Sequence, residues 1–126
     1  MTAIDRVKTL LTGKISDGTS KMSVYVDDAN VTEMNCIRIF YNGQGGLVSQ
    51  TQSNAAYYKT GLQIAARHND NVKARDMAFK ILQYINANIK TEAGYWWIPD
   101  SVPLFSGVDS TGGYVWTFDI FTKGGN

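Results

Sequence analysis

Between Asp70 and Ile89, apolar residues recur at helical spacing: Ala74, Ala78, Ile81, Leu82, Ile85 and Ile89 share one stripe. Lys73, Arg75, Asp76, Lys80, Gln83 and Asn86 lie off that stripe. Read as one helix of about 20 residues, the segment is a rod about 30 Å long. One face of such a rod suits packing across a small antiparallel sheet. From Tyr57 to Arg67 the pattern is that of a strand, with Leu62, Ile64 and Ala66 on one face and Gln63, Ala65 and Arg67 on the other. The polar corner His68-Asn69-Asp70-Asn71 joins the two, and either Asp70 or Asn71 can accept the first free helix N–H groups. The expected fold is therefore α+β: a small mixed or antiparallel β-sheet, with a short N-terminal helix and one long amphipathic helix packed on one face.

The remaining elements fit that frame. Thr2 and Asp5 form a capping-box pattern with Asp in place of Glu, and Ile4, Val7, Leu10 and Leu11 follow at helical spacing. The spacing predicts a short helix over residues 3–12, stopped at Gly13. Residues 14–21 are turn-rich. Met22, Val24 and Val26 alternate with polar residues or Tyr25, as in a strand. After a polar loop, CIRIFY from Cys36 to Tyr41 is rich in β-formers and is expected to end in a turn at Asn42-Gly43. Residues 43–56 are rich in Gly, Gln, Ser and Asn and read as a flexible surface loop that orders on a partner. After the long helix, Pro99 and Pro103 argue against a central strand running through the whole of residues 92–113. A short strand at Leu104–Val108, a hairpin turn at Asp109–Gly113 and a last strand from Tyr114 to Thr122 complete the chain. On that last strand Tyr114, Trp116, Phe118 and Ile120 share a face. Neither a repeat nor a linker divides the 126 residues, so one domain over 1–126 is expected.

Composition narrows the function classes. Twelve basic and 11 acidic residues give a net charge of +1. That is no electrostatic footprint for nucleic acid, and direct sequence-specific binding is not expected. No apolar run reaches the roughly 18 residues of a membrane span. The first residues, MTAIDRVKTLLTGK, do not read as a secretory signal. With one cysteine, Cys36, no intramolecular disulfide can form, and an intracellular folding compartment is the simpler reading.

No catalytic, cofactor-binding or metal-ligating constellation stands out. His68 is the single histidine, and at its corner it is expected to cap the helix or face solvent. Cys36 lies in an apolar strand pattern and has no partner for a Cys-His pair. Asp27, Asp28 and Glu33 match no EF-hand loop, and Asn30-Val31-Thr32 matches a glycosylation acceptor that an intracellular chain would not use. Gly43-Gln44-Gly45-Gly46 lacks the Lys-Ser/Thr of a phosphate loop. The aromatics from Tyr95 to Phe118 lack interleaved cations, so they do not form a nucleic-acid stacking platform. Val115 and Phe121 oppose Trp116 and Phe118, so the last strand is apolar on both faces. In so small a domain, one of those faces points to an interface with another chain.

The order of these elements resembles that of the minor capsid and tail terminator (head–tail joining) proteins of tailed bacteriophages. The resemblance rests on CIRIFYNGQGG, on the strand and helix of YYKTGLQIAARHNDNVKARDMAFKILQYINA, and on the ending PLFSGVDSTGGYVWTFDIF. It spans most of the chain and consists of patterns of residue type and spacing. It implies a structural virion protein, not an enzyme: a subunit of a homo-oligomeric ring, usually hexameric. Such a ring caps the tail tube, stops its polymerisation, and offers a surface to the head completion or connector protein. The implied partners are further copies of the chain, the tail tube protein and the connector, without a cofactor and without a membrane. The implied location is the virion, at the head–tail junction, after synthesis in the host cytoplasm. Residues assigned to subunit or partner contacts are Gly45, Gly46, Gln50, Gln52, Arg67, Lys73, Arg75 and Phe121. Alternatives are another connector or tail tube subunit of similar fold, or a small-molecule binding module with a pocket in the aromatic-rich C-terminal third.

Overall fold

The computed structural model describes residues 2–27, 31–48, 57–88, 96–99 and 101–125. Helix α1 spans Ala3–Leu11. The Thr2 hydroxyl accepts from the Asp5 amide at 3.3 Å and donates to the Asp5 carboxylate at 2.6 Å. Asp5 is thus held by the capping hydroxyl, the reciprocal device that its position in the sequence predicts in a shorter form. Beyond the helix, Gly13 takes φ +73°, the left-handed conformation that ends helices. Ile4, Val7 and Leu11 are its buried stripe.

Six strands form one mixed sheet. Strand β1 (Ser23–Val26) runs parallel to β2 (Cys36–Val48), which pairs antiparallel with β3 (Tyr57–His68). Strand β3 pairs antiparallel with β6 (Tyr114–Gly125) along its whole length, from Tyr57 opposite Gly125 to His68 opposite Tyr114. Strands β4 (Trp96–Pro99) and β5 (Leu104–Val108) both pair with the far side of β6, one after the other. Between them, Ser101 ties the chain to Asp119: the Asp119 amide donates to Ser101 Oγ at 2.8 Å, and the Ser101 amide to Asp119 O at 3.3 Å. The Pro99 and Pro103 segment is thus an interrupted edge, where missing N–H groups break no central ladder.

One face of the sheet carries both helices. Ile37, Ile39, Leu62, Ile64, Phe118 and Ile120 are buried against Val7 and Leu11 of α1 and Met77, Ala78, Ile81 and Ile85 of α2. Each such aliphatic side chain contributes about 1.5–3 kcal/mol by leaving water. Helix α2 spans Asn71–Ala87, a 17-residue rod, with Asp70 as its cap. One Asp70 carboxylate oxygen accepts from Val72 N at 2.9 Å and Lys73 N at 3.2 Å. The stripe read from the sequence needs two changes: Met77 belongs to it, and Leu82 is only partly buried. Ile89 lies outside the described residues.

The segment after Tyr41 departs from expectation. Strand β2 does not end at Asn42-Gly43 but continues to Val48. Tyr41 stands opposite Leu62, yet Gly45 stands opposite Thr60, so residues 42–44 face Gly61 as a bulge. Gly43 takes φ +79° within it. Backbone pairing with β3 needs no apolar side chains, so a glycine-rich composition concealed a strand. Residues 49–56 of the expected loop lie outside the described residues.

Candidate assembly surface

The two groups richest in possible chemistry are both committed to holding the fold. His68 is buried, 3% exposed, and does not face solvent. Its Nε2 lies 2.8 Å from Asp17 Oδ2, and its Nδ1 accepts the Asp70 amide at 3.0 Å. Since Nδ1 is the acceptor, the neutral ring carries its proton on Nε2 and donates it to Asp17. Both ring nitrogens are engaged, so neither is placed to take a proton from a nucleophile. Asp17 also accepts from Thr19 N and Ser20 N at 2.8 and 2.9 Å. The Ser20 amide, the His68 ring and the Thr19 amide hold its carboxyl well below the ordinary carboxylate range, against the effect of burial.

Arg67, expected at an interface, is 6% exposed. Its Nε sits 2.7 Å from Asp109 Oδ2, an ion pair whose geometry is not that of an aligned hydrogen bond. Its Nη1 donates to Glu33 O at 3.3 Å and its Nη2 to Thr111 Oγ1. Asp109 in turn accepts from Gly113 N at 2.9 Å and Thr111 N at 3.0 Å, closing the β5–β6 hairpin. A Cβ on Gly113 would lie 2.6 Å from Arg67 Nε and 2.9 Å from Met34 Sδ, so the hairpin and the arginine fit only around a glycine. The Gly113 amide, with Thr111 and Arg67, lowers the Asp109 pKa, while burial opposes this. Cys36 beside this node is fully buried and donates to Glu33 O at 3.4 Å; burial pushes its thiol up.

What the sequence reading missed is the exposed apolar surface along β5. Val102, Leu104, Phe105 and Val108 are 60, 64, 49 and 54% exposed. No charged residue occurs from Ser101 to Val108. Among the described residues, no strand pairs with the outer side of β5. Edge strands are usually blunted by charge; here only Pro103 and a register shift between Phe105 and Gly107 interrupt the edge. Phe105 packs on Trp116 with ring centroids 5.7 Å apart, and Trp116 Nε1 donates to Asn71 Oδ1 at 2.9 Å. The next residue of α2, Val72, is 53% exposed. Two signals in the sequence mark this surface: an uncharged apolar run, and prolines that place it at an edge.

The other residues assigned to contacts are scattered. Phe121 is buried, so it is removed, like Arg67, from any exposed surface. Gly45 and Gly46 are β2 backbone opposite Thr60 and Lys59. Arg75 is exposed and hydrogen-bonds Asp76 Oδ1 at 3.3 Å, and Lys73 is half-buried. Gln50 and Gln52 lie outside the described residues. The described residues contain no cluster of three His, Cys, Asp or Glu side chains fit to hold a metal ion, and no helix long and apolar enough to cross a membrane. Compared with known proteins, the chain matches no family model and no curated sequence.

Proposed function

We propose that the chain is a structural virion protein of a tailed phage, a ring-forming tail terminator or head–tail joining subunit. In this reading it caps the tail tube and offers a surface to the head connector. The observation that carries the reading is the uncharged β5 edge, with Val102, Leu104, Phe105 and Val108 about half or more exposed. A subunit that works by assembly needs exposed apolar surface, and natural proteins otherwise avoid it on edge strands. The commitment of His68 and Arg67 to internal bonds agrees with a role in surfaces, without a catalytic centre.

The order of elements supports the terminator reading over a general assembly role only through its resemblance to that family. Another connector or a tail tube subunit is the runner-up, and polymer form separates them. Heterologous contacts whose rotation closes give one ring, whereas a tube protein stacks into open assemblies. One groove among the described residues is lined by Lys14, Ile15, Ser16, Lys80, Gln83 and Tyr84. None of its lining residues comes from the aromatic-rich C-terminal third. Electron microscopy of the purified protein, with and without tail tubes, tests the proposal. Single closed rings, alone or at tube ends, are the expected result. Long open stacks, or failure to associate even with tube ends, would contradict it.

A further inference from the structure

Beyond any assembly role, the corner between β3 and α2 has the geometry of a conformational device. His68 joins the turn at residues 16–21 to the start of α2. Its Nε2 holds Asp17 of that turn at 2.8 Å, and its Nδ1 holds the Asp70 amide at 3.0 Å. The turn itself is a closed unit: Asp17 N donates to Ser20 O at 3.2 Å, and Met22 N to Ile15 O at 2.9 Å. On the helix side, Asp70 is the cap residue, so its amide belongs to the group that holds Val72 N and Lys73 N.

The two bonds respond differently to a proton. Nδ1 carries the neutral ring's one basic lone pair, the one that accepts the Asp70 amide, so it is where a proton adds. Once protonated, Nδ1 becomes a donor facing the Asp70 donor, and that hydrogen bond is lost. Nε2–H remains a donor, and its bond to Asp17 becomes charge-assisted. Asp17 faces the ring from the turn, and the Asp70 carboxylate stands at the helix start, held by Val72 N and Lys73 N. Lys80 of α2 donates to Ser16 O at 3.4 Å, one residue from Asp17. Tyr114 of β6 stands opposite His68 in register. Arg67 alternates to the other face and is paired with Asp109.

We propose that protonation of His68 releases the amide of Asp70, the cap residue of α2, while leaving the 16–21 turn fastened, which makes this corner an acid-operated joint. The helix side opens first because only that side depends on the Nδ1 lone pair. The turn side holds until Asp17 itself takes a proton.

The test follows His68 ring shifts and amide solvent exchange by NMR across a pH titration of the full chain, with exchange corrected for its intrinsic pH dependence. Above the transition, ring nitrogen shifts report the Nε2–H tautomer. As the ring protonates, Asp70 amide exchange rises by about tenfold while Thr19 and Ser20 stay within about threefold. In H68Q, which cannot titrate, the change at Asp70 disappears. Three results would overturn the proposal: an Asp70 amide indifferent to the ring's titration, loosening of Thr19 and Ser20 together with Asp70, or the same pH dependence in H68Q.

Discussion

The side-chain amide of Asn42 on β2 lies 3.3 Å from Asp119 Oδ1 on β6, although β3 runs between those strands. It passes over Gly61, where a Cβ would stand 2.2 Å from Asn42 Oδ1 and 2.9 Å from its Cγ. The whole amide group, and not only its tip, occupies the space of the missing side chain. Gly61→Ala should therefore displace Asn42 and cost about 1–3 kcal/mol. Urea unfolding of G61A, N42A and the double variant checks this. The double variant is expected to lose less than the sum of the single losses, because N42A removes the clash.

The Arg67 node predicts a second dependence on a missing Cβ. Gly113→Ala pushes against Arg67 Nε and Met34 Sδ together, and should destabilise by about 1–3 kcal/mol. Arg67→Met removes the partner of Asp109 and the donors to Glu33 O and Thr111, at a cost of about 2–3 kcal/mol given that Asp109 is partly exposed. Thermal unfolding at fixed pH measures both. Loosening of the β5–β6 turn should appear as faster exchange at Thr111 N and Gly113 N.

Acid stability follows from Asp17 and Asp109, whose carboxyls both titrate below their ordinary value of 3.8. A depressed folded-state pKa gives stability that is present above 3.8 and lost as pH falls further, because the unfolded carboxyl binds its proton first. The unfolding free energy should decline with falling pH in that acid range. Asp17→Asn and Asp109→Asn should each lower stability at neutral pH and flatten that decline. Guanidinium midpoints measured from pH 2 to 7 would show it.

Much of this fold was legible because its signals were periodic. Ile81 and Ile85, or Leu62 and Ile64, repeat at the spacing of the element that buries them, and Thr2, Gly13 and Asp70 mark helix ends by capping chemistry. Three things were concealed, each for a physical reason. The far half of β2 is held by backbone pairing and a bulge against Gly61, which leave no hydrophobic pattern. The burial of Arg67 and His68 depends on Asp109 and Asp17, partners 42 and 51 residues away in the chain, which no local window contains. Phe121 alternates away from the helix face yet is still buried, so its interface assignment failed on tertiary packing. The exposed β5 edge was visible only as an uncharged apolar run that follows Pro99 and includes Pro103.

That edge also makes a prediction about solubility. Leu104 is 64% exposed, so Leu104→Lys should change monomer stability by no more than about 0.5 kcal/mol. Phe105→Lys should cost more, about 0.5–1.5 kcal/mol beyond its lost burial, because it also removes the ring contact with Trp116. Both substitutions should reduce concentration-dependent association, measured by light scattering, through charge on the edge strand.

The central claim is that the uncharged β5 edge is an assembly surface of a ring subunit. Its most direct test is the solution mass and electron-microscope appearance of the unaltered protein beside L104K, each with and without tail tube ends. Closed rings are expected for the unaltered protein, and a folded, ring-free monomer for L104K. Rings of equal abundance from L104K, or an unaltered protein that never associates under either condition, would contradict it.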